Sequence, residues 1–458
     1  MNNQLHWLQK YNVNGPRYTS YPTALEFNQK IADNFQRAAA MASENKTLSL
    51  YFHVPFCHQL CFYCGCNKIV SRHQEKSIKY VETMLQELKR RGEALKHKPI
   101  NQIHFGGGTP NFLRPEQFVE IFTAIQQDFI IAENAEISVE LDVRHVDEQL
   151  LTTLKACGVN RLSFGIQDTN PEVQVAINRV QSNELVGSVL SWVREIGFDS
   201  VNFDLIYGLP HQNKEVFEQT LKDVLMFDPD RISLFSYAHL PARFSSQRKI
   251  KDEWLPSAQT KLELMLFAND MLCGKGQGEG GYEAIGFDHF AKPTDNLVTA
   301  QNNNQLHRNF QGYTILEDSD LLAIGASSIS HIGNVYMQNP KKISDYYDAY
   351  SIGEHLPELA GRILTHDDLI RANVIQSLMC NFKIQFKEIE NQWGIEASRY
   401  FKSELQSLKT FEQDGMLETS KESLSIRREA RLFVRNICMT FDTYLASQLN
   451  KRRYSQVV

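Results

Sequence analysis

The stretch LSLYFHVPFCHQLCFYCGC, residues 48–66, joins an apolar run to a loop that carries four cysteines. Residues 48–54 combine leucine, valine and aromatic side chains, a composition that favours a buried strand. The helical periodicity of KSIKYVETMLQELKRR, residues 76–91, predicts the helix that follows. The stretch is therefore interpreted as a β–α unit with a cysteine loop at the carboxyl end of its strand.

The same alternation of strand and helix recurs five more times along the chain. Each further strand precedes a helical pattern, and the strands are predicted at residues 100–105, 135–141, 160–166, 200–207 and 231–237. This alternation predicts a parallel sheet with right-handed crossovers. Six units suit either a doubly wound sheet or a partly closed barrel related to the eight-fold one.

Several chemically capable residues come at or near the ends of these strands. Besides the cysteines, they include a glycine run at 106–108, Glu140, Gln167, Asp204 and Ala238. In a barrel such positions meet at the carboxyl face, where active sites lie. The predicted fold class is therefore α/β, a partial six-unit (β/α) TIM-like barrel with an N-terminal arm and a mostly helical C-terminal domain.

Four segments are expected along the chain. Residues 1–47 are interpreted as an irregular N-terminal arm, and residues 48–280 as the barrel. Residues 281–360, which mix Gly, Asn and short strands, are a connecting and substrate-pocket region, and residues 361–458 are the helical domain. The glycine-rich run 274–281 is expected to be a surface loop.

Composition narrows the class of protein. The 458 residues carry a net charge of −6 with both signs mixed, which excludes a polybasic nucleic-acid binder. The N-terminus has no apolar signal core, and no window is long and apolar enough to span a bilayer, so a cytoplasmic location without a membrane span is expected. Four of the eight cysteines fall within ten residues, which in such a chain favours metal binding over disulfides.

The cysteine spacing is Cys57-x3-Cys61-x2-Cys64-x-Cys66. Three close thiolates can hold three irons of a [4Fe–4S] cubane and leave the fourth iron open. The alternative is structural zinc, which prefers four tetrahedral ligands that commonly come as two separated pairs. Cys66 remains open to three interpretations, as a fourth ligand, as a residue that lines a substrate cavity, or as a buried thiol.

The loop resembles the radical S-adenosylmethionine signature C-x3-C-x-aromatic-C, with Tyr63 as the aromatic residue. The arm GPRYTSYPT and further blocks resemble the oxygen-independent coproporphyrinogen III oxidase family over essentially the whole chain. These blocks are LYFHVPFCHQLCFYCGCNKIV, FGGGTPNFL, NFDLIYGLP, YAHLP, QRKIKD, GFDHFA, LHRNFQGYT and RNICMTFDTYL.

This resemblance implies a reaction. Two propionate side chains of coproporphyrinogen III would be decarboxylated to vinyl groups, giving protoporphyrinogen IX. A [4Fe–4S] cluster would cleave S-adenosylmethionine reductively, and the resulting 5′-deoxyadenosyl radical would abstract a hydrogen from the propionate. The resemblance further implies an electron donor such as flavodoxin or ferredoxin, an unidentified electron acceptor, a monomer, and two bound S-adenosylmethionine molecules.

The resemblance also assigns residues. Cys57, Cys61 and Cys64 would ligate the cluster, and Cys66 would be catalytic. The first S-adenosylmethionine would contact Tyr51, Tyr63, Gly107, Glu140 and Ile329. The second would contact Gly108, Thr109, Gln167, Arg179, Asp204 and Ala238.

The substrate's propionates call for basic groups, and bidentate arginine is suited to carboxylates. Arg17 and Tyr18 on the arm, with His307 and Arg308, are the substrate-binding candidates. For each arginine a structural role, tying loops to the barrel, is an equal alternative. Structural alternatives also stand for Glu140 and Asp204 as ion-pair members, for Arg179 as a solvated side chain, and for the glycines as a turn.

The sequence departs from the family pattern at two places, and two other classes of protein are alternatives to this family. Val143 stands where the family usually has proline, and the glycine-rich stretch 274–281 is longer than usual. One rival is a haem-trafficking relative of the same superfamily, which generally lacks the arm and a cysteine equivalent to Cys66. The other is a zinc-stabilised scaffold without chemistry.

Overall fold

A computed structural model describes residues 2–44, 46–274, 281–316, 319–351 and 355–445, together with Tyr454 and Gln456. Residues 275–280 of the expected glycine-rich surface loop lie outside the described residues. Within the described ranges, no helix combines the length and the apolar character needed to cross a membrane.

The strands are numbered in chain order. They are β1 Gln29–Ile31, β2 Thr47–Val54, β3 Phe56–Cys57, β4 Ile69–Val70, β5 Ile100–Gly107, β6 Ile131–Leu141, β7 Arg161–Gln167, β8 Ser200–Tyr207, β9 Arg231–Ser236, β10 Glu283–Ile285, β11 His289–Ala291, β12 His307–Asn309, β13 Gly312–Thr314, β14 Ser319–Ile324, β15 Ile329–Ile332, β16 Val335–Gln338, β17 Leu359–Ile363, β18 Lys383–Gln385, β19 Leu417–Thr419 and β20 Ser423–Ile426.

The α-helices are numbered in the same way. They are α1 Asn2–Tyr11, α2 Asp33–Ala42, α3 Lys76–Gly92, α4 Pro115–Asp128, α5 Glu148–Ala156, α6 Pro171–Ala176, α7 Asn183–Ile196, α8 Lys214–Phe227, α9 Ala258–Leu272, α10 Asn296–Asn302, α11 Ile343–Ser351, α12 His366–Asn381, α13 Phe386–Trp393, α14 Ala397–Tyr400, α15 Lys402–Gln413 and α16 Val434–Met439.

Six parallel strands lie side by side in the order β2, β5, β6, β7, β8 and β9. Each is followed by at least one helix, from α3 after the cysteine loop to α9 after β9. Several helices begin at a side-chain cap; the Ser182 side chain, for instance, accepts from the Leu185 N–H at the start of α7. The predicted six β–α units are confirmed.

The sheet does not stop at residue 280. Strand β14 adds a seventh parallel strand beside β2, and β15, β16, β17 and β1 continue antiparallel from it. At the other edge β11 and β10 follow β9, also antiparallel. Since β14 and β9 each pair with other strands, the parallel strands do not close into a ring, and the barrel is partial.

The two faces of the parallel strands differ sharply in polarity. One face carries apolar side chains such as Phe52, Phe105 and Phe203, which are completely buried and pack beneath the helices. The opposite face carries polar residues such as His104 and Asp204, which line a cavity. Since strands from β2 to β9 all contribute to one cavity wall, the sheet curves around it. Because side chains alternate between the two faces of each strand, the polar residues lie on the concave face of the sheet.

The C-terminal region forms a second core around α12 and α16. Its helices surround a small antiparallel sheet in the order β18, β20, β19, which the helical prediction for this region did not include. Ile375, Leu378 and Ile437 are buried there.

The expectation of an irregular segment over residues 1–47 is wrong, because α1, α2 and β1 lie within it. Helix α1 buries Trp7 and Leu8 in the C-terminal core, and α2 buries Ala39 and Ala40 in the main core. Both helices are short, so tertiary packing of one apolar face accounts for them better than local propensity. The arm motif itself, residues 15–23, is largely non-regular, as expected.

Candidate active site

A cavity of about 1330 Å³ lies inside the curve of the sheet and extends to the carboxyl ends of its strands. It exceeds the ~300–1,000 Å³ of ordinary small-molecule pockets. Its wall combines strand residues with Arg17 from the N-terminal segment and Arg435 from the C-terminal region. Space for a large ligand therefore coincides with the face at which β–α folds perform chemistry.

The cysteine loop begins at the end of β2 and is closed at its base. Strand β3 pairs in parallel with β4, and the Ser71 N–H donates to the Cys57 carbonyl at 3.0 Å. Cys57 and Cys61 are buried, Cys64 is half-buried, and Cys66 is exposed and lines the cavity. The paired base holds the three predicted ligands on one short, ordered loop.

Cationic and N–H groups surround these sulfurs. Arg179 Nη1 lies 3.7 Å from Cys61 Sγ, and Arg144 Nη2 lies 3.9 Å from it. The Cys66 N–H donates to Cys64 Sγ at 3.4 Å. A hydrogen bond from the Cys66 side chain, aided by Lys68, lowers the pKa of Cys64 to about 6. Such surroundings favour thiolates.

Cys57 differs, because burial raises its pKa to about 11, although a hydrogen bond with Thr109 opposes this effect. Coordination to a metal deprotonates a thiol outright, so this value does not preclude a ligand role. Among the described residues, no three His, Cys, Asp or Glu side chains are grouped tightly enough to hold a single metal ion. A cubane spreads its protein ligands over different irons, so the loop thiols need not meet at one point. Three thiols beside two guanidinium groups fit an anionic iron–sulfur cluster.

Asp142, which follows β6, fixes the positions of Arg144 and Arg179 behind the cysteine loop. Arg179 donates to both of its carboxylate oxygens at 3.3 Å, and Arg144 donates to Oδ2 at 2.6 Å. Burial alone would raise the pKa of Asp142, but these two arginines lower it well below its usual range. Arg179 is itself buried, which answers the question whether it is solvated.

The three glycines after β5 are explained by close packing. A Cβ on Gly106 would lie 2.8 Å from Glu140 Oε1, and one on Gly108 would lie 2.8 Å from the backbone of Pro55 and Phe56. Gly107 has a φ of +114°, and its Cβ would lie 2.6 Å from the His53 ring. Each position excludes a side chain because of contacts within the protein itself.

Glu140 lies near the end of β6 and faces the cavity. His104 Nε2 lies 3.1 Å from Oε1, and the Gly107 N–H donates to Oε2 at 3.3 Å. Burial alone would raise the pKa of Glu140, but His104 and the Gly107 N–H outweigh it and hold the pKa below its usual range. The carboxylate is therefore ionised, held in place, and still partly open to the cavity.

Asp204 on β8 differs from Glu140 in that its pKa is raised, not lowered. It accepts from Ser163 Oγ at 3.1 Å and from Asn202 Nδ2 at 2.9 Å. Burial, with a contribution from the charge of Glu140, raises the pKa of Asp204 to about 6. Glu140 and Asp204 thus present carboxyl groups of different acidity to the cavity, both available to hydroxyl or amino groups of a ligand.

Gln167 ends β7 at a register shift with a φ of +64°, an uncommon backbone conformation for glutamine. Its side chain is buried, and its Oε1 has no hydrogen-bond partner among the described residues. Gly165 beside it leaves room for the Arg179 guanidinium, which donates to the Gly165 carbonyl at 2.6 Å. Gln167 and Arg179 therefore lie together near Asp142.

The remaining predicted cofactor contacts are dispersed around the cavity. Tyr51, Ala238 and Ile329 line it directly. Tyr51 stacks on His104 with ring centroids 5.8 Å apart. Tyr63 is half-buried against an apolar cluster at one side, and Thr109 is buried beside Cys57.

Two of the four substrate candidates belong to the arm, and they have different surroundings. Arg17 lines the cavity. The neighbouring Tyr18 is buried, and its hydroxyl donates to Asp442 Oδ2 at 3.0 Å. Tyr18 therefore anchors the arm to the C-terminal region and does not reach the cavity wall.

The other two candidates lie on β12. His307 is half-buried, and its Nδ1 is 3.2 Å from Gln376 Nε2, outside the cavity lining. Arg308 lines the cavity, but it forms two hydrogen bonds to the Asp288 carboxylate at 3.1 and 3.2 Å. Its guanidinium lies between the rings of Phe287 and Tyr313. Its charge is therefore already engaged within the wall.

Several functional-looking residues were not predicted. Lys261 on α9 and Arg435 on α16 line the cavity, and His104 holds the predicted Glu140 in place. Arg435 begins the RNICMTFDTYL block, so the resemblance of that block to the family could have indicated it. Lys261 sits in an ordinary helical pattern that carries no signal of its own.

The curved parallel sheet with a three-cysteine loop after its first strand is the arrangement of radical S-adenosylmethionine enzymes. A family model described as "Radical SAM superfamily" matches residues 51–224, and one described as "HemN C-terminal domain" matches residues 364–433.

Similarity to individual proteins covers nearly the whole chain. It is 45% identical to the oxygen-independent coproporphyrinogen III oxidases of Salmonella typhimurium and of Escherichia coli K12, in each case over 99% of both chains. The solved coproporphyrinogen III oxidase (HemN) from Escherichia coli, described as a radical SAM enzyme, superposes with a TM-score of 0.89 over 93% of this chain and 97% of that one. The chain belongs to the oxygen-independent coproporphyrinogen III oxidase family.

Proposed function

We propose that the chain decarboxylates two propionate side chains of coproporphyrinogen III to vinyl groups without oxygen, giving protoporphyrinogen IX. The observation that carries this proposal is the junction of the three-cysteine loop with a large cavity that has cationic groups in its wall. Its relatives at 45% identity are named for oxidising this substrate.

Cys57, Cys61 and Cys64 would hold a [4Fe–4S] cluster, and Tyr51, Tyr63, Gly107, Glu140 and Ile329 would contact S-adenosylmethionine at its open iron. When bound, this pair supplies one-electron chemistry that abstracts a hydrogen atom from an unactivated carbon. Arg144 and Arg179 would balance the negative charge of the thiolates.

Glu140 is suited to hold a cationic amino group, because its carboxylate is ionised and its orientation is fixed by His104 and Gly107. The buried walls around it would exclude water from a reactive centre. Cys66 faces the cavity from the end of the same loop, so its thiol would lie between the cofactor region and the substrate.

A second S-adenosylmethionine would lie beside the first. Two observations support it: the unpartnered Oε1 of Gln167, and the raised pKa of Asp204 at about 6, which leaves a carboxyl able to donate or accept. The contacts of this second molecule would be Gly108, Thr109, Gln167, Arg179, Asp204 and Ala238.

The redox partners, the location and the oligomeric state are part of the same proposal. An electron donor such as flavodoxin or ferredoxin would reduce the cluster, and an unidentified acceptor would take the final electron. The protein would act as a cytoplasmic monomer.

The test is anaerobic reconstitution of the chain with iron and sulfide, followed by incubation with S-adenosylmethionine, a reductant and coproporphyrinogen III. We expect 5′-deoxyadenosine and protoporphyrinogen IX to form together. A Cys61→Ser variant should form neither product, because a ligand is lost. 5′-Deoxyadenosine without any change in the porphyrinogen would overturn the substrate assignment and keep the radical chemistry.

A further inference from the structure

Three basic side chains from three separate parts of the chain line the same cavity. Arg17 comes from the N-terminal arm, Lys261 from α9, and Arg435 from α16. Their charges repel one another: burial and Arg17 lower the pKa of Arg435 to about 10, and burial with Arg435 and Arg17 lowers that of Lys261 to about 8. The fold therefore gathers positive charge on one part of the wall.

Three other arginines that line the cavity have carboxylate partners. Arg308 pairs with Asp288, Arg231 with Asp295, and Arg161 with Glu136. In contrast, no aspartate or glutamate of the described residues forms an ion pair with Arg17 or Lys261. The carboxylate that acts most strongly on the pKa of Arg17 is Asp288, which is engaged by Arg308 and His289.

Two of these cations are held in place by the surrounding protein. Lys261 Nζ donates to the Tyr237 carbonyl at 3.3 Å, and its aliphatic chain lies against Gly208, where a Cβ would come within 2.8 Å of it. Arg435 Nη2 donates to the Gln456 carbonyl at 3.4 Å. The arm that carries Arg17 is anchored at the adjacent Tyr18, whose hydroxyl donates to Asp442. Such fixed cations suit an anionic ligand, because the chain has already met the cost of ordering them.

We propose that Arg17, Lys261 and Arg435 form a carboxylate-binding subsite that receives propionate groups of the substrate. The proposal rests on the proposed function, since coproporphyrinogen III carries four propionates. Like charges gathered on one part of a wall repel one another, and a ligand carboxylate bound among them would relieve that repulsion. The subsite also explains why an arm and a C-terminal region pack onto a catalytic barrel, since each supplies one cation.

The experiment measures binding of coproporphyrin III and of its tetramethyl ester to the reconstituted protein by fluorescence. We expect Lys261→Met and Arg435→Gln each to weaken coproporphyrin III binding about tenfold, the size of one lost charge-assisted hydrogen bond. Binding of the uncharged ester should stay unchanged. Lys261→Arg, which keeps the charge, should retain most of the affinity.

Lys251→Met is the matched control, because Lys251 is exposed outside the cavity and contacts only its neighbours Glu253, at 3.6 Å, and the Trp254 ring, at 5.1 Å from the centroid, among the described residues. It should bind like the wild type. Iron and sulfide content and the melting temperature report on folding, and removing a repelled cation should not lower the melting temperature. Wild-type affinity in both cavity variants, or an equal loss for acid and ester, would overturn the subsite.

The outcomes separate the two proposals. If the wild type converts coproporphyrinogen III but the variants bind coproporphyrin III normally, the subsite alone is wrong. If the wild type and variants differ in carboxylate binding as expected but no vinyl product forms, the subsite stands and the proposed reaction is wrong.

Discussion

Asp142 and Arg179 form a buried ion pair in which two guanidinium nitrogens lie 3.3 Å from the two carboxylate oxygens. The same guanidinium reaches the Gly165 carbonyl at 2.6 Å and Cys61 Sγ at 3.7 Å. The pair thereby links the carboxyl ends of β6 and β7 to the cysteine loop, so the packing of the sheet and the position of a predicted cluster ligand depend on each other.

Replacing Arg179 by alanine should lower the free energy of unfolding by about 3 kcal/mol, at the lower end for breaking a buried pair, because Arg144 still contacts the stranded carboxylate of Asp142. Denaturant titration measures this loss. The double variant Asp142→Asn/Arg179→Ala should lose less than the two single variants added together. Strict additivity would show that the two residues do not act as a pair.

A second prediction concerns Arg308, whose guanidinium is engaged by Asp288. Arg308→Ala should weaken binding of coproporphyrin III, because it leaves the Asp288 carboxylate to repel the ligand's propionates. Adding Asp288→Asn should restore most of the affinity, measured by fluorescence titration. If the double variant binds as weakly as Arg308→Ala, Arg308 contacts a propionate directly.

Much of the fold was predictable because its signals are local. The six β–α units follow from strand and helix patterns within each segment, and β8 coincides with its predicted apolar run at residues 200–207. Short strands were predicted in the region that holds β14, but not its place in the main sheet, because only pairing with β2 makes it part of that sheet. Helix α1 depends in the same way on burial of Trp7 against the distant Phe433.

The residues of the candidate site were likewise predictable only where their sequence signals are local. The cysteine loop and the glycine run can be recognised from their spacing, because several functional residues fall within one short segment. Lys261 and Arg435 are separated by most of the C-terminal half of the chain, and the sequence alone does not indicate that they share a cavity. The engagement of Arg308 by Asp288 was equally invisible, because two residues 20 positions apart show no periodic relation.

A third prediction uses the completely buried Asp168, whose pKa burial raises to about 6. In the unfolded chain it titrates near ~3.9, so the folded state binds the proton more tightly. Its stabilising contribution is complete below about pH 4 and is lost as the pH rises to about 6, a difference of roughly 3 kcal/mol. Asp168→Asn should remove this part of the pH dependence of unfolding.

The control for this titration is Asp199→Asn, which removes an exposed carboxylate at the surface. Its stability should follow the wild-type pH dependence between pH 4 and 6. If Asp168→Asn also follows the wild type across that range, Asp168 is ionised in the folded protein and the interpretation of its burial is wrong.

A fourth prediction addresses the glycine run. Gly107→Ala should cost about 1–3 kcal/mol of stability because of its positive φ. It should also weaken S-adenosylmethionine binding, since the Cβ displaces His53 and the Gly107 N–H no longer reaches Glu140. Equilibrium dialysis measures the binding. Gly187→Ala, in α7 with only Phe227 at 3.9 Å from the added Cβ, should be neutral or slightly stabilising. Equal effects of the two variants would contradict the packing argument.

The fifth prediction separates Cys66 from the other three cysteines of the loop. Cys66→Ser should assemble the same amount of iron and sulfide per chain as the wild type, whereas Cys64→Ser should assemble far less. The reason is geometric: the Cys66 side chain is exposed in the cavity, while Cys57 and Cys61 are buried and Cys64 is half-buried. A hydrogen bond with Cys64 also raises the pKa of the Cys66 thiol well above its usual value, which favours the protonated form. Metal and sulfide analysis after anaerobic reconstitution decides the matter. Equal loss of iron in both variants would make Cys66 a fourth ligand, and a cluster closed by four thiolates would leave no iron for S-adenosylmethionine.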